Sequence, residues 1–394
     1  MADEPAREEW ITRLTQYFVI LLIAMVAAGL VYGLIASAFV TRRAAQPPPG
    51  AACVPSGVTI LRPLHGDEPG LVEAIRSVFD HGHVAPVQII FGVADAEDPA
   101  LLAIERARIG YPGLDVSVVV SPQRHGANRK MSNIINMEAL IRHPVVMIID
   151  SDVKVPRGAV SALAASLADP AVGVGSCLHA GMGNAGFWSR LAAMDITYRF
   201  MPSVLVGRGL NLAEPVMGPM MALRSDTLSR VGGFSAFADV LADDYEIGRA
   251  VRGLGLRVAV CGPFVLHGCS ETGLAALLRH ELRWTRTIYG IDRAGFTGSI
   301  ITHVTPVALL ALLLSGGTMG TPLLLLAALA LRSAIKLRID RVSGTVSGPL
   351  WLLPLRDCLS LFVYVLTFFV GKVDWRGSRF KVTADGRLLQ ERQI

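Results

Sequence analysis

Charge is scarce in this 394-residue chain: Asp, Glu, Lys and Arg make up 18%, against 52% hydrophobic residues and a mean hydropathy of +0.48. Apolar side chains at that level exceed what one globular core takes up, so contact with lipid is expected. Cysteines are few and scattered, at positions 53, 177, 261, 269 and 358. No CxxC pair occurs, which argues against a zinc ribbon and a thioredoxin-type pair. Cys261, His267 and Cys269 lie close together, but their spacing matches no zinc template, so they read as small buried thiols facing a reducing compartment. No GxGxxG follows the first strand, which argues against a nicotinamide dehydrogenase. The net charge of +5 and pI of about 9.1 come without a basic stretch interleaved with aromatics. Nucleic acid is therefore not an expected partner, and the basic residues read as cytoplasmic loops of a membrane protein.

What is present begins with Tyr17 to Val40, a charge-free run between Arg13 and Arg42. As a helix it would be about 36 Å long at roughly 1.5 Å per residue, enough to span a bilayer with tilt. It is too long for a signal-peptide core, and acidic residues dominate before it, so a retained anchor is expected. Asp3, Glu4, Glu8 and Glu9 precede it while Arg42 and Arg43 follow, which orients the chain after Arg42 toward the cytoplasm. The expected layout is a tail (1–16), an anchor (17–40), a linker (41–57) with a Pro47–Pro49 spacer, and a catalytic domain (58–298). C-terminal membrane segments (299–371) and a cytoplasmic tail (372–394) complete it, giving a multi-pass protein of the inner membrane.

Within the domain, strands are expected at Val58–Leu61, Val87–Val93, Val116–Val120 and Val145–Ile149, and helices at Pro69–Phe79, Pro99–Arg108 and Arg129–Ile141. Continuous β-branched strands are buried on both faces, which implies a parallel α/β sheet with its ligands at the carboxyl ends of the strands. Ile300–Leu331 is one long helix or a hairpin broken at Ser315-Gly316-Gly317 and Pro322. Leu350–Val370 is apolar yet carries Arg356 and Asp357, a costly charge pair in a membrane.

Asp150-Ser151-Asp152 closes the strand Val145–Ile149 and delivers two carboxylates at its tip. Carboxylates there can hold Mg²⁺ or Mn²⁺ against a departing diphosphate, or can be a helix cap with a solvated neighbour. Asp243 and Asp244 open a helical stretch, as dipole partners or with one as a general base. Val231-Gly232-Gly233-Phe234 reads as a tight turn whose backbone approaches a donor. In His280-Glu281-Leu282-Arg283-Trp284, Arg283 can fork onto phosphate and Trp284 supplies a flat wall, or the helix rests on the membrane. Phe187–Leu212, with Trp188, Tyr198, Phe200 and Met201, reads as an interfacial segment or a core helix.

These elements, in this order, resemble glycosyltransferase family 21, the ceramide glucosyltransferase family, over Val58 to Leu388. Leu61-Arg62-Pro63-Leu64-His65-Gly66 is similar to its first-strand motif, and Asp374-Trp375-Arg376-Gly377 to its tail. The resemblance implies a GT-A, Rossmann-like domain that uses a UDP-sugar. It implies Asp95 near the nucleotide, Lys130 of Asn128-Arg129-Lys130-Met131-Ser132-Asn133 at the diphosphate, and Asp150 and Asp152 on the metal. It implies Asp244 as base and Arg283 with Trp284 at the leaving group. His280 stands where many relatives have Gln or Arg, and its hold on phosphate would depend on pH. Phe187-Trp188-Ser189-Arg190-Leu191 and Leu241-Ala242-Asp243-Asp244-Tyr245 look closest to the bacterial hopanoid branch. That branch implies transfer of N-acetylglucosamine to a hopanoid polyol, whereas the eukaryotic branch implies glucose to ceramide. The rivals are a processive polysaccharide synthase and a non-catalytic lipid-binding scaffold.

Overall fold

The computed structural model describes residues 4–44 and 56–370 and the strands at 373–375, 378–382 and 388–390. The proline spacer and most of the expected tail lie outside the described residues. The elements in chain order are α1 (Glu4–Ala44), β1 (Val58–Pro63), α2 (Leu71–Phe79), β2 (Val87–Val93), α3 (Ala100–Arg108), β3 (Asp115–Val120), α4 (Arg129–Glu138) and β4 (Val145–Ile149). There follow β5 (Val153–Lys154), α5 (Ala159–Ser166), β6 (Val172–Ser176), β7 (His179–Gly183), α6 (Phe187–Asp195) and α7 (Met201–Gly209). Next come β8 (Met220–Arg224), α8 (Ser225–Arg230), α9 (Asp243–Gly253), β9 (Arg257–Val260), β10 (Val265–Cys269), α10 (Leu274–Ile291) and α11 (Arg293–Gly298). The chain ends with α12 (Val304–Leu314), α13 (Thr321–Ser343), α14 (Leu353–Thr367) and the strands β11 (Val373–Trp375), β12 (Ser378–Val382) and β13 (Leu388–Gln390).

The main sheet has the order β3-β2-β1-β4-β8-β6-β9. Alternate residues of one strand serve opposite faces: Ile60 and Met147 join one apolar cluster, Leu61 and Val146 another. Side chains buried this fully contribute about 1.5–3 kcal/mol each, which holds the central strands rigid beneath the site. The sheet is mostly but not wholly parallel, because β8 runs antiparallel to both β4 and β6. A reversed strand beside β4 must start at the edge where β4 ends. Gly218 and Pro219, which lead into β8, therefore sit beside the β4 tip, where the Asp150 amide donates to the Pro219 carbonyl at 3.1 Å. A second sheet, β5-β10-β7, stands on that edge.

The membrane-side helices differ in detail from expectation. α1 is helical from Glu4, so most of the acidic stretch read as a tail belongs to the same helix as the apolar run. Among the described residues, Arg7–Arg43 and Leu350–Thr367 are long and apolar enough to cross a membrane. The pair Arg293–Thr302 and Val304–Leu314, bent by 63°, would make a third if it is one span. The apolar stretch from Ile300 is the hairpin α12–α13, broken where Gly316 and Gly317 take positive φ. Phe187–Leu212 is packed in its middle, where Tyr198 and Met201 are fully buried with Ile339 and Leu353, while Phe187, Leu210 and Leu212 at its ends are exposed.

Arg356 and Asp357 do not pair with each other, since adjacent helical residues face different ways. Arg356 grips Glu281 of α10 through two contacts of 2.6 and 2.8 Å. Asp357 takes Arg332 of α13 at 2.9 and 2.6 Å. Charges that would be costly alone are thus satisfied between helices, and they tie α10 to the membrane side.

Candidate active site

Lys130, Asp150, Asp152, Asp244, His280, Arg283 and Trp284 line one cleft of about 1460 Å³ at the carboxyl ends of the central strands. Asp95 lies at the same edge, after β2 and next to Ala94 of the cleft lining; its side chain is exposed and accepts a hydrogen bond from the Glu97 amide. The Gly232-Gly233 turn has φ of 94° and 70°, as a tight turn requires. It closes over Glu138 at the end of α4 and buries Phe234 in the core, and it is not among the residues that line the cleft.

The β4 tip is held from below by a residue that the motif reading passed over. Arg62 of β1 is wholly buried, and its guanidinium donates to the carbonyls of Ala74 at 2.8 Å and of Ser151 and Val153 at 2.9 Å. Burial pushes its pKa down to about 10, against the pull of Asp152 and Asp150, and it remains a cation at neutral pH. The Ser151 hydroxyl donates to Glu68 at 2.6 Å. Buried cation and hydroxyl together fix the turn, and the two aspartates flank it with their carboxylates toward the cleft.

Asp150 Oδ1 meets Lys130 Nζ at 2.8 Å, and the same ammonium lies 3.1 Å from Asp243 Oδ2. Burial opposes the charge of Lys130, but Asp150 and Asp243 outweigh it and hold its pKa above the usual range. Lys130 arrives there on α4, whose first turn is capped by Asn128 accepting from the Met131 amide at 3.0 Å. Asp152 Oδ1 is buried without a hydrogen-bond partner, and Oδ2 lies 3.6 Å from His267. Oxygen donors of this kind suit a hard divalent cation, but no group of three or more His, Cys, Asp or Glu side chains among the described residues is arranged to hold one. Two carboxylates fit an ion whose remaining oxygens come from a bound diphosphate and water.

Asp244 lies half-buried in the first turn of α9, with the Tyr245 amide donating to it at 2.8 Å. Burial, then the neighbouring Asp243 charge, push its pKa up to about 6, while Lys130 pulls the other way. A carboxylate poised there can take a proton near neutral pH. Gly218 leaves room for it: a Cβ at that position would meet Asp244 Oδ2 at 2.9 Å.

On α10, His280 bonds through Nδ1 to Glu271 and stands edge-on to Trp284, ring centroids 4.8 Å apart. Glu281, one residue on, points to the opposite side, into Arg356. The helix therefore presents His280, Arg283 and Trp284 to the cleft and anchors through its back face. Cys177, Cys261, Cys269 and Cys358 are free thiols, Cys177 and Cys269 buried; Cys53 lies outside the described residues.

A sequence model of glycosyl transferase family 21 matches residues 21–388. The chain belongs to glycosyltransferase family 21. This family-21 member is 22% identical to ceramide glucosyltransferase 3 of Caenorhabditis elegans over 345 residues, 84% of this chain and 74% of that one. It is 30% identical to a ceramide glucosyltransferase of Komagataella phaffii over 151 residues, 37% of this chain and 28% of that one. Among solved structures it is similar to the mannosyltransferase PcManGT from Pyrobaculum calidifontis, in complex with GDP-Man and Mn²⁺. The TM-score is 0.50 at 17% identity, covering 87% of this chain and 98% of that one. The α/β domain is accordingly a GT-A-like glycosyltransferase fold, and the protein is a glycosyltransferase.

Proposed function

We propose that the protein transfers one sugar, with inversion, from a UDP-sugar to a hydroxyl of a membrane lipid on the cytoplasmic side of an inner membrane. The observation that carries this reading is Asp244, half-buried with its pKa pushed up to about 6, in the same cleft as Asp150, Asp152, Arg283 and Trp284. Asp244 takes the proton of the acceptor hydroxyl as that oxygen bonds to the anomeric carbon, and the bond from carbon to phosphate oxygen breaks on the opposite face. Arg283 forks onto the departing phosphate oxygens and Lys130 adds a cation there, while Trp284 walls the sugar. When bound, a divalent cation held by Asp150 and Asp152 supplies positive charge to the diphosphate. Asp95, at the end of β2, is assigned to the nucleotide from its place on that edge.

The hopanoid-like stretches favour N-acetylglucosamine and a hopanoid polyol; the relatives named as ceramide glucosyltransferases keep glucose and ceramide second. The detergent-solubilised protein is to be incubated with UDP-glucose, UDP-galactose or UDP-N-acetylglucosamine against ceramide and bacteriohopanetetrol, with Mn²⁺ or Mg²⁺. Mass spectrometry should find one N-acetylhexosamine added to the tetrol. A hexose on ceramide would select the second reading, a ladder of sugars would select a processive synthase, and no UDP release with any lipid would defeat lipid glycosylation.

A further inference from the structure

His179 and His267 are two buried polar groups of the cleft that the mechanism leaves unused, and they stand side by side. Both line it, with exposures of 3% and 6%. Neither ring nitrogen of His179 has a hydrogen-bond partner, nor does His267 Nδ1. A buried polar group left unpaired costs about 1–3 kcal/mol, so two side by side in a cleft point to a ligand that completes them. The fold sets them together. β7 and β10 are parallel neighbours with Gly181 opposite His267, and His179, two residues before Gly181, shares that face. The rings lie 5.8 Å apart. Phe200 stands 5.9 Å from His179 and Trp284 5.7 Å from His267, so the pair is framed by aromatic walls. Phe200 comes from a π-helical turn, Ile196–Phe200, a distortion common at functional sites.

From this corner the cleft continues between α7 and α10, past Ser203, Val204 and Gly207 on one side and Thr287, Ile288 and Ile291 on the other. Ser203 accepts a hydrogen bond from Tyr32 of α1 at 3.0 Å, so the trough runs up to the N-terminal span. The histidines thus stand between the carboxylate corner and a trough that reaches α1.

Resting on the lipid-acceptor reading, we propose that His179 and His267 form the head-group subsite for the acceptor. They would hydrogen-bond a neutral head rich in hydroxyls beside the hydroxyl that receives the sugar. A hydroxyl both donates and accepts, so it can meet a ring nitrogen whether or not that nitrogen carries a proton, and a pair of imidazoles matches a pair of hydroxyls. A phosphate head would need cations, and burial, then His267, push the pKa of His179 down to about 3, so His179 brings no charge.

The test compares bacteriohopanetetrol with a hopane alcohol bearing a single hydroxyl, using the full-length detergent-solubilised protein. His179→Phe should raise KM for the tetrol by about ten- to hundredfold, from the loss of one or two hydrogen bonds, with little change for the single hydroxyl. UDP affinity should hold, and the melting temperature should hold or rise, because no internal hydrogen bond is lost. His179→Asn, which keeps a donor and an acceptor, should recover part of the tetrol preference. If phenylalanine is not accommodated, His179→Leu carries the same comparison. An unchanged tetrol KM, or equal losses for both lipids, would overturn the subsite. Absence of wild-type transfer to any lipid would instead strike the reading beneath it.

Discussion

The carboxylates under the membrane-side helices and the carboxylates of the cleft are matched to cations in opposite ways. Asp195, Glu281 and Asp357 each face a guanidinium through two contacts, from Arg199, Arg356 and Arg332. In the cleft one ammonium, Lys130, is shared between Asp150 and Asp243, while Asp152 Oδ1 is left without a hydrogen bond. Charges neutralised inside the protein hold helices together. Charges left short of partners wait for a ligand that brings its own.

The contrast can be broken at either end, and the largest effect belongs to the paired set. Arg356→Leu strands Glu281 in a buried site and should lower the unfolding free energy by about 3–5 kcal/mol, read as thermal denaturation in detergent. Glu281→Leu combined with Arg356→Leu should recover most of that loss, since both charges are then gone. A drop below about 1 kcal/mol would reduce the pair to the level of a surface bridge.

Asp152→Asn should do the reverse, with stability within about 0.5 kcal/mol of wild type. UDP affinity in Mn²⁺ should fall by more than the roughly 10–100-fold of an outer-shell change. Equal affinity with and without Mn²⁺ in the wild type would remove the metal from this corner.

The third effect is on pH. Asp244, with its pKa pushed up to about 6, works as a base only when deprotonated, so kcat/KM should rise with pH to a plateau above about pH 6. Lys130→Met removes a charge that lowers this pKa, and the acid limb should move to higher pH. A limb near pH 4 in both proteins would count against Asp244. The smallest effect is expected from Gly218→Ala, whose Cβ would press on Asp244 Oδ2 from 2.9 Å and should slow transfer by up to about tenfold while UDP binding stays.

The first four strands and the acidic tip of β4 were legible because their signals are local: a short β-branched run, then Asp-Ser-Asp. The helix start at Asp243 and the cleft face of α10 were legible for the same reason. What depended on distant partners was not. Met220–Arg224 was not among the expected strands, and nothing in its residues tells the direction in which β8 runs. Arg62 sat in view within a first-strand motif, but its partners Ser151 and Val153 lie 89 and 91 residues on, in the turn after β4 and in β5. The Gly232-Gly233 turn was right in conformation and misplaced in function, because sequence does not say that Glu138 lies behind it. Arg356 and Asp357 looked like one pair and are halves of two. His179 is a lone histidine on a five-residue strand, and only the register of β7 against β10 brings it to His267.

The central claim is that Asp244 is the base for transfer of one sugar to a lipid hydroxyl. It is tested most directly by mass spectrometry of bacteriohopanetetrol after incubation with UDP-N-acetylglucosamine and either wild-type protein or Asp244→Asn. The prediction is one N-acetylhexosamine per lipid with the wild type and a rate lower by about 10²–10⁴-fold with the variant, whose UDP affinity is retained. Near-wild-type turnover by Asp244→Asn, or more than one sugar per lipid from the wild type, would contradict it.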